Sequence, residues 1–213
     1  MHSMTDSLND SDELLRLAKA GDVRALAEVL ERSRERLKQM VRVRLDPRLR
    51  GRLDPSDVIQ EAYLDAARRL PEYVRDPTVP FFVWLRRLTA QRLTDLHRQH
   101  LGAKMRDAAL DVSLYDGAYP QASSLSLAAQ LLGRFSSPSR AAIRAEVQIR
   151  VQEALNSMDF VDREVLALRH FEMLTNDEAA HVLGIKKTTA SNRYVRALKR
   201  LTAVLEAYPE LRP

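Results

Sequence analysis

Apolar positions recur every three or four residues through most of the chain, which is the spacing of one face of an α-helix. The first such tract runs from about residue 12 to residue 45 and breaks at Gly21-Asp22. A second helix is predicted from the capping sequence Asp54-Pro55 to Pro71, and a third from about residue 78 to residue 101. Alternating β-branched runs bounded by turns are missing, so the pattern predicts an all-α fold.

The helical periodicity is lost between residues 102 and 140, a stretch with Gly117, Tyr119-Pro120 and a Ser-Pro-Ser run. A short helical pattern is retained there at about Leu125–Leu132. Regular helical spacing returns from residue 141 to residue 207. A stretch of this length and composition predicts a flexible linker, residues 102–140, between two helical domains at residues 10–101 and 141–207.

The second domain contains the most informative local pattern. Thr175 followed three residues later by Glu178 is a capping-box pattern that begins a short helix, and Gly184 ends it. A second helix is predicted from about Lys187 to Leu205. Ala180 and Ala190 are small where the two helices must cross, so the pattern predicts a helix-turn-helix.

The outward side of that second helix is basic. Between residues 186 and 200 there are six basic residues and no acid: Lys186, Lys187, Arg193, Arg196, Lys199 and Arg200. Thr188, Ser191 and Asn192 lie among them, and these residue types reach base edges in the major groove. Two interpretations remain open, a DNA-reading helix and a solvated basic face, and the single sign of charge favours DNA.

Charge and composition narrow the class of protein. The chain has 213 residues, 34 Lys+Arg against 29 Asp+Glu, a net charge of +5 and no cysteine. The missing cysteines exclude a disulfide scaffold, a thiolate zinc site and a cysteine nucleophile. No glycine-rich phosphate-binding loop is present. We expect no signal peptide and no membrane span, and therefore a cytoplasmic protein.

Two groups of side chains could suggest a metal-dependent enzyme. Acids cluster near the start of the second predicted helix, and His97 and His100 lie three residues apart on the third. Acids at a helix start more often serve capping and dipole roles, and a histidine pair among basic residues more often faces solvent or DNA. We therefore expect no catalysis, no metal and no cofactor.

Three segments resemble one known family. Residues Met158–Leu201 look like region 4 of bacterial RNA polymerase sigma factors. Leu53–Arg69 resembles region 2.2 of the same family, and Pro80–Arg98 resembles regions 2.3 and 2.4. The matches occur in the family's order, and the chain has room only for the compact extracytoplasmic-function (ECF) type. The resemblance implies a region 2 helical bundle and a region 4 helix-turn-helix.

The family likeness assigns roles to three sets of residues. For binding core RNA polymerase it marks Asp57, Gln60, Glu61 and Leu64. For the minus-ten promoter element and its melting it marks Trp84, Arg87, Gln91, Thr94 and Arg98, although Trp84 could equally be core. For the minus-thirty-five element it marks Lys187, Thr188, Ser191, Asn192, Arg193 and Arg196. The charge of a basic tract at residues 86–106 suits DNA, and a second tract at residues 32–52 could contact duplex or template phosphates or be surface charge alone.

The function implied by the resemblance is promoter-specific transcription initiation. Its expected partners are core RNA polymerase and promoter DNA, and the family is commonly held by an anti-sigma factor. The alternative is a helix-turn-helix regulator that is not a polymerase subunit, which would leave the face from Asp57 to Leu64 without a role. One departure from the family pattern, Lys186-Lys187 near the helix start, leaves the start of the recognition helix open.

Overall fold

The computed structural model describes residues 13–101, 120–133 and 141–207, and every regular element in those ranges is a helix. The predicted all-α fold is thus confirmed. The acidic N-terminal residues and the linker stretches 102–119 and 134–140 lie outside the described residues. In chain order the elements are α1 (13–19), α2 (Val23–Arg44), a 3-10 turn (Pro47–Leu49), α3 (Pro55–Arg75), α4 (Phe81–Leu101), α5 (Ser124–Gly133), α6 (Ala141–Asn156), α7 (Phe160–Leu166) with a π-helical continuation (Ala167–Phe171), α8 (Asn176–Leu183) and α9 (Lys187–Glu206).

The break between α1 and α2 occurs where the sequence predicts it. Gly21 has a φ of 96°, a conformation that side chains disfavour. Asp22 caps α2, and its carboxylate accepts hydrogen bonds from the backbone N–H of Arg24 and Ala25 at 2.8 and 3.1 Å. These interactions supply partners for donors that the first turn of a helix leaves unpaired.

Helix α3 continues past the predicted stop at Pro71 and ends at Arg75. The prediction of the helix end was wrong because tertiary packing holds the last turn. Tyr73 stacks on Trp84 with ring centroids 4.7 Å apart, and its hydroxyl donates a hydrogen bond to the carbonyl of Val79 at 3.0 Å. Pro71 itself is exposed on the outer side of the helix.

Helices α2, α3 and α4 pack around a shared apolar core. Leu37, Ile59 and Leu85 contribute to it from the three helices and are completely buried. One face of α4, with positions spaced by three or four residues, is buried throughout: Phe82, Leu85, Thr89, Leu93 and Leu96. A second core joins α5, α6 and α9. Part of the predicted linker belongs to it, because α5 buries Leu127 and Leu132 there.

The N-terminal helices (α1–α4) and the C-terminal helices (α6–α9) also share packing. Buried residues of the C-terminal half, among them Val165, Leu168 and Leu183, belong to the same apolar cluster as Leu37 and Leu85. The two predicted domains are therefore in contact in this structure. None of the described helices is both long enough and apolar enough to span a bilayer.

Candidate nucleic-acid and polymerase interfaces

The turn between α8 and α9 is built as the sequence predicts. Thr175 Oγ1 accepts a hydrogen bond from the Glu178 backbone N–H at 3.2 Å, and Glu178 Oε2 accepts one from the Thr175 N–H at 2.7 Å. Gly184 ends α8 in the left-handed region with a φ of 59°. Ala180 and Ala190 are buried where α8 and α9 meet. The helix-turn-helix is therefore present, and α9 begins at Lys187.

One side of α9 is exposed to solvent. Lys187, Thr188, Ser191 and Asn192 are all exposed. Their spacing of one, three and one residues places them on adjacent positions of the same helix face. Lys187 pairs with Asp177 at 2.7 Å, but both side chains are more than half exposed, so that ion pair is weak. These four residues form the candidate base-reading surface.

The two arginines predicted for the same element have a different environment. Asp162 of α7 accepts hydrogen bonds from Arg193 at 2.8 Å and from Arg196 at 2.7 Å through both of its oxygens. Arg193 also contacts Asp159 at 2.7 Å. Asp162 is 4% exposed. Burial tends to raise the pKa of Asp162, yet the two guanidiniums outweigh it and hold that pKa below its ordinary value. Part of the positive charge of α9 is thus neutralised within the protein.

The candidate minus-ten surface of α4 is divided between exposed and packed residues. Arg87, Gln91 and Arg98 are exposed. Thr94 is half-buried, and its hydroxyl donates a hydrogen bond to the carbonyl of Ala90 at 2.8 Å. Trp84 is half-buried in the aromatic cluster with Tyr73, so packing accounts for part of its surface.

The candidate polymerase-binding residues lie along one side of α3. Asp57 and Gln60 are exposed, and Leu64 is 60% exposed, which is unusual for a large apolar side chain. Glu61 is half-buried and forms an ion pair with Arg92 of α4. Three of the four residues are therefore available to a partner, and Glu61 also links two helices.

The histidine pair shows no metal-binding arrangement. His97 Nε2 accepts a hydrogen bond from the Asp46 backbone N–H at 3.3 Å, which requires an unprotonated nitrogen. Burial lowers the pKa of His97. Within residues 13–101, 120–133 and 141–207, no three histidine or carboxylate side chains are grouped in a way that could hold a metal ion.

Sequence reasoning did not identify a group of buried charges between the two halves of the chain. This Arg–Glu cluster consists of Arg44 of α2, Arg86 of α4, Glu164 of α7 and Glu172, which follows the π-helical turn. All four residues are 5% exposed or less. One signal was available: Arg44 continues the spacing of the apolar stripe formed by Leu37, Met40 and Val41.

Comparisons with known proteins agree with this geometry. The family model for sigma-70 region 4 matches residues 148–201, which include the helix-turn-helix. The ECF RNA polymerase sigma factor SigD of Mycobacterium tuberculosis is 34% identical over 204 residues, covering 93% of this chain and 85% of SigD. The chain belongs to the ECF RNA polymerase sigma factors. It therefore binds core RNA polymerase and directs promoter recognition in transcription initiation, and the alternative of a regulator that is not a polymerase subunit is not favoured.

Two further comparisons concern one sigma factor of Cupriavidus metallidurans. That protein, CnrH, is 29% identical to the present chain over 203 residues, covering 94% of this chain and 97% of CnrH. The structure of CnrH in complex with the cytosolic domain of CnrY matches with a TM-score of 0.54 and 25% identity, covering 93% of this chain and 99% of that chain. The structural match thus includes both helical halves of this chain.

Proposed function

We propose that this sigma factor uses three separate surfaces for its three contacts. The exposed face of α9 binds the minus-thirty-five duplex, the exposed side of α4 binds the opened minus-ten element, and α3 binds core polymerase. The observation that carries the proposal is the contiguous exposed face of Lys187, Thr188, Ser191 and Asn192 on a helix fixed by a glycine turn. In this proposal the sigma factor acts in the cytoplasm and catalyses no reaction itself.

The chemistry of the α9 face suits a major groove. The amide of Asn192 can donate to and accept from one adenine edge, and the hydroxyls of Thr188 and Ser191 can contact several bases. Lys187 lies at the first position of α9, where its charge and the helix N-terminus both favour phosphate. Arg193 and Arg196 contribute to the minus-thirty-five contact less than free arginines would, since both are paired with Asp162.

The side of α4 suits a single strand held by its backbone. Arg87, Gln91 and Arg98 are spaced by four and seven residues, so they follow one line along the helix. The arginines supply phosphate contacts, while Gln91 can bind a base edge. Thr94 and Trp84 contribute the half-buried floor of this surface. Opened strands commonly bind to such a combination of cations and aromatic faces.

Run-off transcription with core polymerase tests the proposed function directly. Adding the sigma factor to core enzyme should produce promoter-dependent transcripts from a library of genomic fragments. A complete lack of such transcripts, with core enzyme that responds to another sigma factor, would contradict it.

We extend the proposal to a protein partner that binds this sigma factor in the way that the cytosolic domain of CnrY binds CnrH.

The α3 surface allows a sharper test. Asp57→Lys should weaken binding to core polymerase by about tenfold or more, because it reverses the charge on the face that also presents the apolar Leu64. Glu61 is left unchanged so that its ion pair with Arg92 remains. Glu72→Lys is the matched control, since Glu72 is an exposed acid on the same helix, about 22 Å further along its axis. Equal losses in both variants would show that total charge, not this face, determines binding.

A further inference from the structure

The Arg–Glu cluster joins the N-terminal and C-terminal helices through short, charged hydrogen bonds. Arg44 donates to Glu172 and to Glu164, in each case at 2.7 Å. Arg86 donates to the other oxygen of Glu172 at 2.7 Å. Two arginines and two glutamates give a balanced set, so each buried charge has partners of opposite sign. Buried charges are tolerated when they are paired in this way, and either half alone would leave them uncompensated.

A segment of the predicted linker is bound into the same site. The third donor group of Arg44 reaches the carbonyl of Pro120 at 2.8 Å, and Glu164 accepts the backbone N–H of Ala122 at 2.8 Å. The N–H of Ser123 donates to the carbonyl of Val43 at 2.9 Å. Residues 120–123 therefore contact both halves of the protein at the point where those halves meet.

The edge of the contact involves a further ion pair. Arg36 of α2 donates to Glu178 of α8 at 2.7 Å, and its guanidinium lies 3.4 Å from the centre of the Phe82 ring. Arg36, Arg44 and Arg86 all belong to the basic tracts that are candidates for nucleic-acid contact. In this structure all three arginines pair with carboxylates of the C-terminal half.

The two promoter-reading surfaces are too close together for a promoter. Elements centred near minus ten and minus thirty-five are about 25 base pairs apart, which is about 85 Å of duplex. A compact chain of this length has a radius of gyration of about 17 Å. Arg86, next to Arg87 on the minus-ten surface, contacts Glu172, and a single eight-residue helix, α8, separates Glu172 from α9.

We propose that the Arg–Glu cluster, together with residues 120–123, holds the sigma factor in a closed arrangement that cannot engage both promoter elements at once. The halves separate when the protein engages polymerase and promoter, which exposes Arg36, Arg44 and Arg86. This inference rests on the proposed roles of α4 and α9 in reading the promoter.

Distance measurements between two spin labels test the closed arrangement. The chain has no cysteine, so Arg69→Cys on α3 and Ala203→Cys on α9 introduce two label sites at exposed positions outside every proposed interface. The labelled protein alone should give a short, narrow distance distribution. In the complex with core polymerase and promoter DNA, the same labels should give a distribution several tens of ångströms longer, set by the length of DNA between the two elements.

Substitutions in the cluster should separate the halves without polymerase. Glu164→Gln with Glu172→Gln leaves Arg44 and Arg86 buried without a counter-charge, so the long-distance fraction should rise about tenfold or more. Glu153→Gln is the control, because Glu153 forms an exposed ion pair within α6. Arg36→Ala at the partly exposed edge should give a smaller rise, and it keeps the test available if the double variant does not fold.

Three outcomes would overturn the closed arrangement: a long distance in the free protein, an unchanged distance in the promoter complex, or variants that match the Glu153→Gln control. The failure of the proposed function is distinguishable, because it would be a lack of promoter-dependent transcripts. The distances in the free protein and its variants are measured without transcription, so they report on the contact itself.

Discussion

One buried carboxylate, Asp162, neutralises part of the positive charge of α9. Counting residues along α9 suggests a uniformly basic face, but Asp162 of α7 accepts hydrogen bonds from Arg193 and Arg196. In the proposed contact with the minus-thirty-five element, the exposed polar residues of α9 then carry most of the contact with base edges. Lone acids near a helix start, such as Asp159 and Asp162, look like capping residues in a sequence, and Asp159 is one. The pairing of Asp162 with α9 could not be predicted from local spacing.

This difference predicts unlike behaviour for two substitutions in α9. Asn192→Ala should leave stability within about 0.5 kcal/mol, since Asn192 is exposed, and should relax preference at one base by about 1–3 kcal/mol. Arg196→Ala should weaken binding to all sequences and also lower stability measurably, because Asp162 loses its two-oxygen partner and keeps only Arg193. Urea unfolding and competition binding with mutated duplexes measure both effects. An Asn192→Ala variant that weakens every duplex equally would contradict the base-reading role.

His97 predicts a pH dependence of stability. Burial holds the pKa of His97 below its ordinary value near 6.5, so the folded protein favours the neutral ring more than the unfolded chain does. The contribution of the neutral His97 ring to the free energy of unfolding is fully present above about pH 6.5. It is lost as the pH falls towards the lower pKa of His97 in the folded protein. His97→Gln should therefore reduce the loss of stability between about pH 7 and pH 5. His100→Gln, at the exposed end of the same helix, is the control. Equal pH dependence in both variants would show that other groups cause it.

At the scale of elements, local rules predicted most of the helices but not all their ends. Asp54 and Thr175 begin helices as expected, and Asp22 begins α2 after the predicted break, because each side chain supplies an acceptor to its own first turn. The end of α3 was predicted wrongly because Tyr73 packs on Trp84, a residue of the next helix. Local sequence carries no direct information about such a contact.

The turn between α8 and α9 gives a prediction of its own. Gly184→Ala should lower stability by about 1–2 kcal/mol, since a φ of 59° brings a Cβ close to the backbone. The variant should also weaken DNA binding, because the turn fixes the angle between the two helices. Gly133→Ala at the end of α5 is the control: a Cβ there meets no atom within 4 Å, so stability should stay equal or rise slightly. Chemical unfolding of both variants is the measurement, and equal losses would exclude the turn geometry as the cause.

At the scale of the whole molecule, the sequence predicted two helical units but not their contact. Arg44 and Glu172 are 128 residues apart, and charged residues are normally expected at the surface. The Arg–Glu cluster is stable only because both partners of each pair are present, so neither half of the sequence reveals it alone. The same dependence on a distant partner explains why three arginines of the basic tracts, Arg36, Arg44 and Arg86, pair with carboxylates within the folded chain.

Burial of the Arg–Glu cluster predicts how the closed arrangement responds to salt and acid. Raising NaCl from about 0.1 to 1 M shortens the screening length from about 10 to 3 Å, but it screens buried pairs much less than exposed ones. The short label distance should therefore persist in high salt.

Burial tends to raise the pKa of Glu172, yet Arg44 and Arg86 outweigh it and hold that pKa below the ordinary value. The contribution of Glu172 is thus present above about pH 4.5 and is lost as the pH falls through its lower folded pKa. The labels should then remain close from neutral pH down to about pH 5 and separate in stronger acid. Separation of the labels by salt alone at neutral pH would assign the contact to partly exposed pairs such as Arg36–Glu178, since salt screens those more than the buried cluster.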